Sequence, residues 1–79
     1  MKIDIKYFAA LAEHAKKTRE IYEIQDTYVY ALYENLQERY KFPYDLEDIR
    51  IAINKEYINE DTLLQDGDEV VFITPVAGG

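Results

Sequence analysis

The chain has 79 residues, with sixteen Asp and Glu against nine Lys and Arg, and a formal net charge of −7 at pH 7. That length supports one domain, which buries roughly 60% of its unfolded surface and leaves little room for an enclosed active site. The acidic balance argues against nucleic acid, whose affinity rests on Lys and Arg neutralising phosphates, and against an anionic membrane surface. A basic protein partner is the better match. There is no Cys, so disulfides and thiolate chemistry within the chain are excluded. No apolar run approaches the length of a membrane span, and a cytoplasmic protein is the expectation.

Met1 to Tyr7 alternates, with Ile3, Ile5 and Tyr7 on one side and Lys2, Asp4 and Lys6 on the other. This predicts a strand with one buried face. Phe8 to Ala15 places apolar residues at i, i+3, i+4 and i+7, the spacing of a short amphipathic helix. Lys16, Lys17 and Arg19 follow, where cations suit a helix C-terminus. Glu20 to Gln25, rich in Ile and Tyr, predicts a second strand antiparallel to the first.

Asp26-Thr27 offers an N-cap to a longer helix. Its buried face is marked by Val29, Leu32, Tyr33, Leu36 and Tyr40, and Pro43 stops it. Tyr44 to Asp48 is a polar connection. Ile49 to Asn54 alternates again, with Tyr57-Ile58 as a short continuation or a short strand of its own before the last strand. Asp66-Gly67-Asp68 predicts a turn in which Gly67 takes a positive φ. Val70 to Val76 is the last strand, and Ala77-Gly78-Gly79 trails off it. The order predicts one α+β domain over residues 1–79: a mixed sheet of four to five strands with helices on one face. That is the ubiquitin-like β-grasp arrangement, with the first and last strands side by side at the centre.

Conventional catalytic constellations are missing. The single histidine, His14, sits at a helix end, and no Ser-His-Asp set, phosphate loop or dinucleotide fingerprint occurs. The acids at Asp45, Glu47 and Asp48, and at Glu56, Glu60 and Asp61, lack the spacing of a calcium loop and read as solvated charges.

The tail stands apart. Two terminal glycines arise by chance with a probability of roughly one in two hundred at about 7% Gly usage. Glycine has no Cβ, so such an end is a thin thread able to enter a channel closed to side chains. In the last strand Val70 and Phe72 share one face while Val71 and Ile73 share the other. A sheet with helices on one side should be polar on the other. The second apolar face therefore reads either as a docking patch or as part of a doubly covered central strand.

Asp66-Gly67-Asp68-Glu69-Val70-Val71-Phe72-Ile73-Thr74-Pro75-Val76-Ala77-Gly78-Gly79 resembles the C-terminal signature of the MoaD/ThiS sulfur-carrier family, and Phe8-Ala9-Ala10-Leu11-Ala12-Glu13 resembles its N-terminal motif. The likeness spans the chain in length and element order and is nearest to the molybdopterin synthase side of the family. Two departures occur: Thr74 stands where a first proline is usual, and Lys16-Lys17 where a Gly often ends the first helix.

The resemblance implies a mechanism. An E1-like, MoeB-like enzyme adenylates the carboxylate of Gly79 with ATP. A persulfide donor replaces the AMP, leaving a thiocarboxylate. The arm Thr74, Pro75, Val76, Ala77 and Gly78 then enters a large, MoaE-like synthase subunit, where Gly79 gives its sulfur to a cyclic pyranopterin. Two transfers make the dithiolene of molybdopterin. Phe8, Tyr57 and Ile73 match the apolar positions that contact the large subunit; Phe8 and Tyr57 could equally be core residues, and Ile73 is the better candidate because alternation sets it opposite Val70 and Phe72. No bound cofactor and no metal are implied for the chain itself. Within the family, thiamine or tRNA thiolation is the alternative. Outside it stand a ubiquitin-like modifier joined through Gly79 and a passive interaction domain.

Overall fold

The computed structural model describes residues 1–74. Strand β1 (Lys2–Tyr7) leads into helix α1 (Ala9–Ala15) and strand β2 (Arg19–Glu23). Helix α2 (Val29–Tyr40), a 3-10 turn (Leu46–Asp48), strand β3 (Arg50–Ile53), strand β4 (Glu56–Ile58) and strand β5 (Glu69–Ile73) follow. The five strands form one mixed sheet in the order β2-β1-β5-β3-β4. β1 and β5 run parallel at its centre, and the other pairings are antiparallel. This is the β-grasp arrangement that the element order predicts, with five strands.

One face of the sheet carries Ile3, Ile5, Tyr7, Ile51, Ile53, Val70 and Phe72, all buried. Leu11 and Ala15 of α1 and Val29, Leu32, Tyr33 and Leu36 of α2 close over it in a single apolar cluster. Tyr7 reaches through this layer to donate to Glu20 at 2.5 Å, and Tyr40 donates to the same carboxylate at 2.7 Å. Burial, reinforced by the Glu20 carboxylate, drives the Tyr7 phenol far above its usual pKa.

One local outcome departs from the sequence reading and two refine it. Asp26 and Thr27 do not cap α2 with a side chain; Tyr28 holds the N-cap position. The N–H groups of Val29 and Tyr30 instead donate to the carbonyls of Thr62 and Glu60, at 2.9 and 3.1 Å. A backbone segment remote in sequence thus satisfies donors that a local side chain usually takes. Next, Tyr57-Ile58 is the short extra strand that the element order allowed, and it folds back beside β3 without prolonging it. Asn54 and Lys55 both take positive φ, 52° and 72°, and turn the chain into the antiparallel strand β4. Finally, both helices end on lysines in the left-handed region, Lys16 at φ 60° and Lys41 at φ 59°, two residues ahead of Pro43 in the second case.

The turn before β5 fastens the far end of the sheet. Gly67 takes φ 87°, a conformation that suits a residue without Cβ. Asp66 accepts the Lys2 N–H at 2.7 Å, and the Gly67 N–H donates to the Lys2 carbonyl at 2.8 Å. Buried Asp68 accepts from Asn54 Nδ2 at 2.9 Å and from the Gln65 N–H at 2.8 Å. Asn54 in turn accepts the Glu69 N–H at 3.0 Å.

Candidate functional site

Among the described residues no helix covers the other face of the sheet, and that face divides in two. On β1 and β2 it is charged: Arg19 forks onto both oxygens of Asp4 at 2.7 and 2.8 Å, and Lys6 meets Glu69 of β5 at 3.1 Å. The Arg19 guanidinium holds the Asp4 carboxyl below its ordinary range. On β5, β3 and β4 the face turns apolar. Register places Val71 beside Ala52 and Ala52 beside Tyr57, with Ile73 level with Arg50 one row on.

Alternation in β5 resolves as the sequence suggests. Val70 and Phe72 are fully buried under the helices, while Val71 and Ile73 are half-buried on the open side. The second apolar face is therefore uncovered by any described helix, which favours the docking patch over a doubly covered strand. Phe8 and Tyr57, undecided from sequence, lie outside the core at 56% and 67% exposure. Phe8 follows Tyr7, whose partner in β5 is Phe72, so it stands at the same end of the sheet as Ile73. Phe8 and Ile73 thus flank the point where the chain leaves β5, and Tyr57 lies further out on β4. Thr74 is half-buried just beyond the strand. Pro75, Val76, Ala77, Gly78 and Gly79 lie outside the described residues.

Arg50 belongs to this surface although sequence reasoning passed over it. Its guanidinium lies 5.1 Å from the Tyr57 ring centre, within cation–π range. Alternation could have found it, since Arg50 sits between Ile49 and Ile51 and must face away from them. Arg50 and Tyr57 also line a shallow groove of about 590 Å³, shared with Glu47, Glu60 and Asp61.

Elsewhere the described residues hold few reactive groups. His14 is exposed, with its ring edge-on to Phe42 and Tyr44 at centroid distances of 6.2 and 6.4 Å. Asp45, Glu47 and Asp48 bring carboxylate oxygens within 4.8 Å of one another, all on exposed residues, as solvated charges would be. No buried side-chain polar atom among the described residues lacks a partner. No described helix is long and apolar enough to cross a membrane.

Comparison with known proteins agrees with this geometry. Residues 5–79 match the pattern of the ThiS family. A molybdopterin synthase sulfur carrier subunit from Mycobacterium tuberculosis is 39% identical, over 100% of this chain and 99% of its own. The solved structure of a putative molybdopterin converting factor subunit 1 from Pyrococcus furiosus superposes with a TM-score of 0.82 at 34% identity, covering 96% of this chain and 99% of that one. A chain in the complex of subunits 1 and 2 of the molybdopterin-converting factor from Helicobacter pylori gives 0.70 at 29% identity, with both chains fully covered.

Proposed function

We infer, since this chain belongs to the ThiS family, that it is the sulfur-carrying small subunit of a molybdopterin synthase and that the carboxyl of Gly79 is the carrying group. The observation behind this reading is where the Gly78-Gly79 end is attached. In sequence it follows the central strand β5, whose last residue, Ile73, borders an apolar face that no described helix covers.

The chemistry follows from the residues. A terminal carboxyl, with a reference pKa of about 3.5, is ionised at neutral pH and a poor electrophile. Attack of its oxygen on the α-phosphate of ATP in an E1-like partner expels pyrophosphate and makes AMP a leaving group. The terminal sulfur of a persulfide then displaces AMP, and cleavage of the S–S bond by a thiol leaves the thiocarboxylate. With no Cys in the chain, carried sulfur has only the terminus to occupy. The thiocarboxylate is the nucleophile toward the pyranopterin. Bases and cationic groups come from the large subunit, which Ile73, Phe8 and Tyr57 would contact.

Intact mass tests this. Incubation with ATP, an E1-like enzyme and a persulfide donor should raise the mass by the difference between sulfur and oxygen. Deleting Gly79 should abolish the shift and leave the melting temperature nearly unchanged, because chain ends contribute little packing. A deletion variant that still gains sulfur would overturn the assignment. Isopeptides to lysines of other proteins, with no thiocarboxylate, would instead mark a modifier.

A further inference from the structure

We propose that the outer edge of β2 pairs with the same strand of a second copy of this chain, antiparallel and centred on Ile21, forming a two-fold dimer. The inference begins with the backbone. Met1 and Ile24 exchange both hydrogen bonds, at 2.8 and 3.0 Å, and Tyr7 donates to Thr18 at 2.9 Å. In an antiparallel ladder bonded and non-bonded pairs alternate. With Lys2 opposite Glu23, Asp4 opposite Ile21 and Lys6 opposite Arg19, those three are the non-bonded pairs. Consistently, the Asp4 N–H turns the other way, to Asp68 at 2.9 Å. The N–H and C=O groups of Arg19, Ile21 and Glu23 therefore point away from β1, along an edge with no partner among the described residues. A five-residue edge without proline or bulge is a template for another strand.

The side chains specify which strand. Arg19, Ile21 and Glu23 share the open face. Ile21 is 57% exposed on the charged half of that face, and nothing within the described residues covers it. Reversing the pattern cation, apolar, anion gives its own complement. Antiparallel pairing centred on Ile21 sets Ile21 against Ile21 and Arg19 against Glu23 twice. All the outward backbone groups of the three residues are then bonded. A shift by two residues sets Arg19 against Ile21 and loses both ion pairs; a shift by one puts side chains on the wrong face. Arg19 bonds Asp4 through Nε and Nη2, and its remaining guanidinium donors stay available to Glu23 of the second copy. A short edge and a charge of −7 on each copy make this a weak, concentration-dependent dimer. β5 lies two strands inward, so its exit end and the apolar face stay uncovered. The pairing is thus independent of the sulfur-carrier assignment.

Sedimentation and amide exchange of the full chain, from micromolar to millimolar concentration, provide the test. The expected result is a rise toward twice the monomer mass, with exchange at the Arg19, Ile21 and Glu23 amides slowing several-fold. Glu20 and Tyr22, already bonded to β1, should not change. Glu23→Arg alone and Arg19→Glu alone should each stay monomeric, because like charges then face each other. An equimolar mixture of the two should associate, since one copy is basic and the other acidic at both positions. Should Arg19→Glu fail to fold, Glu23→Arg with the exchange pattern still decides. A monomer at millimolar concentration, dimerisation undiminished in Glu23→Arg, or slowed exchange at residues other than these three would overturn the proposal.

Discussion

Adjacent residues in β5 have opposite duties. Phe72 is fully buried, its ring 5.3 Å from that of Tyr33, whereas Ile73 is half-buried on the open face. Phe72→Asp removes an aromatic core contact, at about 3–5 kcal/mol for such truncations, and buries an unpaired charge as well. Against a total stability of about 5–15 kcal/mol, the domain should unfold or nearly so. Ile73→Asp should leave the domain folded with a modest drop in melting temperature. If Ile73 anchors the large subunit, affinity should fall by roughly thirty- to a thousand-fold, the equivalent of about 2–4 kcal/mol. Melting curves paired with binding titrations decide the matter. An unfolded Ile73→Asp, or unchanged binding, removes Ile73 from the interface.

The elements show which parts of the fold local sequence can reveal. β1, β5 and the buried face of α2 were legible because alternation of period two and the helical stripe are written along single segments. The cap of α2 was not, because its acceptors come from residues 60 and 62 and not from Asp26-Thr27. The turn into β4 was hidden because Asn54-Lys55 lacks the Gly usual at its second position. At the candidate site the open-side place of Ile73 was legible from alternation in β5, while the Gly pair lies outside the described residues. Phe8 and Tyr57 were not legible, since an aromatic residue fits core or surface until the neighbouring elements are placed. Arg50 was not either, because a charged residue between Ile49 and Ile51 is an ordinary solvent-facing position until β4 sets Tyr57 beside it. The end of α1 shows the same limit and yields an expectation. Lys16 occupies the position where helices favour Gly, at φ 60°, and its N–H donates to Ala12 at 2.8 Å. The left-handed conformation costs a residue with Cβ about 1–2 kcal/mol, partly offset because Gly loses more entropy on folding. Lys16→Gly should therefore stabilise the domain, by about 0.5–1 kcal/mol, or a few degrees in melting temperature. A fall in melting temperature would show that the lysine side chain holds the turn in some other way.

Across the whole molecule, the first and last strands lie side by side and parallel at the centre of the sheet, so β5 closes the fold and also leads into the tail. Closure is anchored where β5 begins, and the proposed chemistry lies beyond where it ends. Stability and function should therefore separate along this one strand. Asp68 is the test point: it is buried, and its two carboxylate oxygens tie Asn54 at the end of β3 to Gln65 just ahead of the turn. Asp68→Ala leaves the Asn54 amide and the Gln65 N–H without these acceptors, which should cost about 1–3 kcal/mol. For a domain of this size each kcal/mol lowers the melting temperature by about 4–8 °C. Below its melting range the variant should still load sulfur and bind the large subunit like the parent, because the substitution lies at the opposite end of β5 from Ile73. Thermal melts set beside sulfur loading at a temperature where both proteins are folded make the comparison. If folded Asp68→Ala loses loading, the turn and the tail are coupled through β5, and the division of duties along the strand is wrong.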